Sequence, residues 1–362
     1  MADQGSGLQQ AKEVVRAFHA ALDAVAADDL QSVLAEHTTE DWLWRGMHPF
    51  YEQTGAAAVA DVFWKPFRAA FSPVQRRADV FLAGVSGADE SEFAEPGSTW
   101  VCEMGHLLGL FDAAWLDIPP TRKMCFVRYA EFNRVGDDGK IHETAMFVDI
   151  PSVMRQAGHD PFPPATGSEH IQPGPMTHDG LLYGEQDPAE GVATMDLVDD
   201  MISDLSNANR VANETGVNVV PYEAMAHTWA EDMIWSGPHG IGAAYTIDRY
   251  QQQHSYPFRF GLTDKIFNGH IARFAEGNYA CFFGWANLTN TPTGGFLGMP
   301  SSRPADMRVV DVYRRDGDKL AENWVFIDLL HWLDMQGLDV LARMRRQLGL
   351  ERFGDEPTPE ER

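Results

Sequence analysis

Near the end of the chain two carboxylates share a strand face with aromatic rings. In residues 320–337, LAENWVFIDLLHWLDMQG, alternation puts Leu320, Glu322, Trp324, Phe326 and Asp328 on one side of a strand that runs into a helix. A carboxylate among rings loses hydration, and its pKa rises toward neutrality. Such an acid can exchange protons with a substrate, so Asp328 is a candidate general acid or base. It also stands where a helix N-cap belongs, a role that aspartate favours. Glu322 lies six residues before it, roughly 20 Å along a strand, which is too far for a close dyad. Glu322 is therefore read as a structural or substrate-contacting residue.

The same pattern occurs earlier. Residues 141–158, IHETAMFVDIPSVMRQAG, place Glu143 and Asp149 at an offset of 179 from Glu322 and Asp328. EDMIWSGPH at 231–239 repeats EDWLWRGMH at 40–48 at an offset of 191, and Pro257-Phe258-Arg259 repeats Pro66-Phe67-Arg68 at the same offset. Cys281 and Gly284 match Cys102 and Gly105 at 179. The offset drops by 12 across the acidic stretch 86–98, which marks that stretch as an insertion in the first copy. The chain reads as module one over 8–158, a linker over 159–194 and module two over 195–349.

Three histidines join the candidate acids. His48 and His239 each follow Trp-x-Gly at a strand end, where an imidazole can polarise a carbonyl, shuttle a proton or simply bond the backbone. His106 alternates with Met104 and Leu108 on a strand, and Trp285 stands near its counterpart in module two. A reactive His106 would make module one the working copy. Trp44, Trp115, Trp235, Trp324 and Phe296, with Glu143 and Glu322, are candidate pocket walls, and a ring-rich pocket favours aromatic or polycyclic ligands. The Pro- and Gly-rich linker is read as a cover, or as a lid that brings His170 or His178 to a pocket mouth.

The elements that must position these residues follow from periodicity. Val14, Val15, Phe18, Leu22 and Val25 recur at helical spacing after a loose tail ending near Gly7, and a second short helix runs to His37. A strand over 40–48, a helix over 55–71 kinked at Pro66, and strands over 74–84, 99–111, 121–134 and 140–149 complete module one. Helices followed by a run of antiparallel strands predict an α+β module. The formal net charge of −25 argues against nucleic acid and anionic membranes. No stretch is long and apolar enough to cross a bilayer, and no signal peptide is seen at the N-terminus. Three cysteines without a CxxC pair suit a reducing compartment, so a cytoplasmic protein is expected. Zinc, nucleophile-elbow, dinucleotide and phosphate-loop motifs are missing.

Residues 293–337 resemble the final third of SnoaL-like domains, polyketide-cyclase relatives within the nuclear-transport-factor-2-like (NTF2-like) superfamily. The resemblance rests on Gly295, Phe296, Gly298, Pro300, Lys319, Glu322, Trp324 and Asp328, with a weaker version in module one at Trp115, Ile118, Pro119, Pro120, Gly139, Lys140, Glu143 and Asp149. It implies two cone-shaped modules, each a curved antiparallel sheet with N-terminal helices, packed as an internal pseudo-dimer. It also implies a pocket enclosed by sheet and helices, chemistry without metal or cofactor, and an acid/base aspartate in the C-terminal strand region, here Asp328 with Asp149 as its counterpart. The function expected is a lyase or isomerase acting on a small aromatic or polyketide-like carbonyl compound by aldol or retro-aldol chemistry. In this reading Asp149 or Asp328 is the base and His48, His106 or His239 the donor. Epoxide hydrolysis, a related dehydration, and a non-catalytic module holding apolar ligands are the alternatives. A small molecule is the expected partner, and a homodimer is left open.

Overall fold

The computed structural model describes residues 2–87 and 89–350. Module one opens with α1 (Ala2–Ala24) and α2 (Leu30–His37). The helix starts at Ala2 rather than after a loose tail, because Leu8 and Ala11 extend the inner stripe formed by Val15, Phe18 and Leu22. There follow β1 (Thr38–Gly46), β2 (Tyr51–Thr54), α3 (Ala56–Val59) and α4 (Lys65–Ala70), then β3 (Phe71–Val85), β4 (Thr99–Phe111), β5 (Met124–Val135), β6 (Ile141–Val148) and α5 (Ile150–Gln156). Between α3 and α4 the backbone widens into a π turn at Ala60–Trp64, just ahead of Pro66. Proline has no N–H to give and its ring crowds the carbonyl one turn earlier, so the helix loosens there instead of kinking sharply.

Module two repeats the plan with α6 (Pro188–Thr215), α7 (Tyr222–Thr228), β7 (Trp229–Ser236), β8 (Ala243–Tyr245), α8 (Ile247–Tyr250) and α9 (Tyr256–Gly261). The π turn recurs at Gln251–Ser255, ahead of Pro257. α6 begins at Pro188, inside the expected linker; Asp187 caps it by accepting from the Ala189 N–H at 2.9 Å. Then come β9 (Leu262–Phe267), β10 (Ala272–Glu276), β11 (Tyr279–Phe283), β12 (Leu288–Pro292), β13 (Ala305–Met307), β14 (Val309–Asp316), β15 (Lys319–Ile327), α10 (Leu329–Met335) and α11 (Val340–Gln347). The long β3–β4 hairpin of module one is broken here: β10 and β11 stay in the main sheet, while β9, β12 and β13 form a small separate one.

The main sheets have the same strand order, β2-β1-β6-β5-β4-β3 and β8-β7-β15-β14-β11-β10. Neither is purely antiparallel, since the last strand of each meander closes beside the first in the same direction, β6 along β1 and β15 along β7. The sheets pack face to face. Trp100, Cys102, Phe132 and Phe147 of one meet Cys281, Phe283, Trp324 and Phe326 of the other in a single buried cluster. Each such side chain contributes about 1.5–3 kcal/mol on burial, so neither face is left open to water. The equivalent thiols of Cys102 and Cys281 touch, and burial together with that contact pushes Cys281 far above its ordinary pKa. The opposite face of each sheet lines the inside of a cone closed by helices.

Candidate functional site

Strand alternation decides which side chains can meet a ligand inside a cone. On β15, Trp324 and Phe326 belong to the cluster between the modules. Glu322 is ion-paired with Arg314 and accepts from the Met176 N–H of the linker at 3.2 Å. Glu143 likewise pairs with Arg45 at 2.6 Å. The face that carries the sequence pattern is thus the inter-module face, and Trp324, Glu143 and Glu322 lie outside the cones where a pocket was expected.

Asp149 and Asp328 sit at the rim of that interface in reciprocal roles. Asp149 caps α5 by accepting from the Ser152 N–H at 3.1 Å, and its second oxygen accepts from the His239 N–H of module two at 2.9 Å. Asp328 caps α10 by accepting from the His331 N–H at 3.2 Å, and its second oxygen accepts from the His48 N–H of module one at 2.9 Å. Each carboxylate therefore starts a helix and ties its module to the other. Burial raises the Asp328 pKa, against the charge of Arg308 3.5 Å away.

His106, Asp149 and His239 line one cavity of about 240 Å³ between the modules, with Glu169, His170 and Gln172 of the linker across it. His239 is clamped by Asp160 and Glu169, both at 2.9 Å. These three are the one His/Asp/Glu cluster tight enough for a metal ion among the described residues. Arg155 already pairs with both carboxylates, at 3.7 and 2.9 Å, and so supplies the countercharge itself. At the matching rim His48 bonds the Tyr51 hydroxyl at 2.8 Å. There Trp285 takes the place of His106 and lays its ring 4.2 Å from the Arg308 guanidinium.

The two cones differ. In module one Trp42, Trp44, Phe63, Phe67 and Trp115 are at most 1% exposed and fill the interior. Trp44 lies 5.4 Å from Phe63, and Trp115 lies 5.6 Å from Phe67. Polar groups run along the wall. His19 bridges Glu131 at 2.7 Å and Glu103 at 3.3 Å, and Glu103 also takes Arg76 at 3.1 Å. Burial works against every charge in this set. The two glutamates nevertheless push His19 up to about 9, and His19 and Arg76 hold Glu103 well below the usual carboxylate range.

In module two Asp311, Tyr250, His254, Phe258 and Val309 are only half-buried. Asp311 holds the position of Glu131. Glu131 lies opposite Met146 on β6 and Asp311 opposite Val325 on β15, and Met146 and Val325 are related by the offset of 179 that links Glu143 to Glu322. The electrostatics are reversed. Asp311 accepts from the Tyr313 hydroxyl at 3.1 Å and the Asn323 amide at 3.2 Å, both neutral donors. Burial outweighs those bonds and pushes its pKa up to about 6. Around it stand Phe282, 5.6 Å from Tyr313, and Trp229, 6.0 Å from Tyr313. Trp235 stacks on His254 at 3.8 Å. Burial alone lowers His254 to about 3, which keeps it neutral. Phe296 packs farther along the cone, 6.1 Å from Phe258.

A histidine completes the site. The ring of His270 lies 4.1 Å from that of Phe282. Its Nδ1 meets Asp89 at 2.9 Å, and Asp89 also accepts from the His270 backbone N–H at 2.6 Å. The carboxylate can only accept, so Nδ1 carries the proton and Nε2 is left for other partners. Asp89 comes from the acidic insertion of module one, which bonds to His270 and Arg273 of module two. Asp89, His270, Asp311 and Tyr313 were not among the sequence candidates. Asp311 obeys the rule applied to Asp328, a carboxylate among Val309 and Tyr313 on an alternating strand.

Solved structures similar to parts of this chain include the following. A protein from Jannaschia sp. CCS1 assigned as a SnoaL-like polyketide cyclase matches at 22% identity over 43% of this chain and 95% of its own, with a TM-score of 0.31. An NTF2-like protein from Burkholderia thailandensis matches at 17% over 41% and 96%, with a TM-score of 0.29. IdmH of Streptomyces antibioticus, assigned as a polyketide cyclase, matches at 15% over 40% and 97%, with a TM-score of 0.30. No family model matches the sequence, and the search of curated proteins gives no match. No helix among the described residues is long and apolar enough to cross a membrane.

Proposed function

We propose that module two is an acid/base catalyst for a small aromatic or polyketide-like carbonyl compound, with Asp311 as base. The observation that carries this reading is the place of Asp311, half-buried on the ring-lined inner face of β14 and bonded only to the neutral donors Tyr313 and Asn323, where burial raises its pKa to about 6. At neutral pH Asp311 is mostly ionised yet poorly solvated, the state suited to taking a proton from carbon beside a carbonyl. The C–H pair of electrons moves into the carbon–carbon bond and the carbonyl oxygen becomes an enolate. His270, held through Nδ1–H by Asp89, donates to that oxygen from Nε2 in its doubly protonated form, while the Tyr313 hydroxyl stays bonded to Asp311 and orients the base. In the aldol direction the enolate carbon attacks a second carbonyl, whose oxygen takes the proton that Asp311 holds. In the retro-aldol direction Asp311 takes the β-hydroxyl proton, the carbon–carbon bond breaks as the carbonyl forms, and Asp311 returns the proton to the enolate carbon. The same groups serve an isomerase.

In this reading Asp149 and Asp328 are positioning residues, and the filled cone of module one is a scaffold that contributes Asp89. The test is α-deuterium exchange into a panel of aryl ketones and β-diketones, followed by NMR. Wild-type protein should speed exchange of at least one probe. Asp311→Asn should remove that gain and Asp89→Asn should reduce it by 10-fold or more, within the usual range for general acid–base groups. Exchange that survives Asp311→Asn unchanged would overturn the assignment.

A further inference from the structure

The duplicated arginine of the two copies has found different partners. In module one Arg68 donates to the Leu22 and Val25 carbonyls, both at 3.2 Å, where α1 ends. Its counterpart Arg259 faces α6, which runs on to Thr215 and keeps its carbonyls in its own ladder. Arg259 reaches only the Asn209 side chain, at 2.7 Å, through Nη1. Its Nε and Nη2 are buried without a hydrogen-bond partner, and the residue is 9% exposed. A guanidinium so placed loses water without regaining its bonds, which is costly unless a ligand completes the set.

Arg259 lines a cavity of about 590 Å³ together with Asn209, Asn218, Thr263, Lys265 and Thr293. The Lys265 amine points along the same wall and is held by the Leu262 carbonyl at 2.5 Å. Burial, and then the charge of Arg259, lower its pKa to about 8. Asp264 on the rim is exposed to water.

We infer that the cleft between α6, α9 and β9 binds a small oxyanion, a phosphoryl or carboxylate group, on Arg259 and Lys265. The two cations fix its charge, and the Arg259 fork offers the parallel donors that such groups accept. The inference stands apart from the role given to Asp311, since it concerns binding and not turnover.

The experiment is calorimetric titration of the full chain with inorganic phosphate and with succinate at constant ionic strength, chloride serving as the control. One of the two oxyanions should bind with a Kd below about 10 mM, while chloride does not. The tighter of them assigns the group as phosphoryl or carboxylate. Lys265→Gln should weaken that binding at least tenfold. Asn209→Asp, which supplies Arg259 with a carboxylate from α6, should do the same without removing a cation, so the test survives if Lys265→Gln does not fold. Absence of binding to the wild-type chain, an equal response to chloride, or undiminished binding in a folded variant would overturn the inference.

Discussion

Replacing Asp311 by Asn should stabilise the protein at neutral pH while destroying the activity assigned to it. The folded carboxyl has a pKa of about 6, raised by burial from the ordinary 3.8. A carboxyl group that holds its proton more tightly in the folded state makes stability fall as pH rises, from the unfolded pKa up through the folded one. A shift of about two units corresponds to roughly 3 kcal/mol of penalty at pH 7.5, at 1.36 kcal/mol per unit. At pH 4.5, where the folded group is already protonated, about 1 kcal/mol remains. Asn is neutral at both values and still accepts from Asn323. The gain from Asp311→Asn should therefore shrink by about 2 kcal/mol between pH 7.5 and 4.5, equivalent to roughly 4–8 °C in Tm for a module of this size. Urea or thermal unfolding at the two pH values reads the difference. A variant destabilised at both, or stabilised equally at both, would refute the electrostatic argument whatever its activity.

Two further outcomes follow from the same geometry. Asp149→Ala and Asp328→Ala each lose a helix cap and strand a backbone N–H of the other module, so each should cost about 1–3 kcal/mol in urea unfolding, whereas an intact unfolding midpoint would show those bonds to be idle. His19, held at about 9 by Glu103 and Glu131 against burial, contributes stability that is complete below the unfolded histidine pKa and lost as pH rises through 9. His19→Gln should therefore narrow the gap between the variant and wild type on the alkaline side, and a gap that widens there would contradict the pairing.

The repeat was legible in the sequence because backbone geometry demands its residue types. Asp149 and Asp328 recur as caps that accept from two backbone N–H groups each. Trp-x-Gly recurs because a Cβ on Gly46 or Gly237 would lie 2.2 Å from the ring of Trp44 or Trp235. The segments that stood out as catalytic were thus largely those that build and join the modules. Alternation alone does not say which face of a doubly covered sheet looks into the cone. Trp324 and Phe326 are as apolar as the residues on the other face, so the pattern was placed on the wrong side of the strand. The pairing of Asp89 with His270 spans 181 residues and crosses modules, which no local spacing reveals. The difference between the cones was equally hidden, since it depends on whether the acid at one register position meets a cation, as Glu131 meets His19, or only neutral donors, as Asp311 does.

The most direct measurement is a carboxyl-carbon NMR titration of the protein labelled at aspartate, with the Asp311 resonance assigned by its loss in Asp311→Asn. The account predicts a single step near pH 6 for that carboxyl. A midpoint in the ordinary aspartate range, about 4 or below, would show the group to be well solvated or ion-paired and would contradict its role as the cone's base.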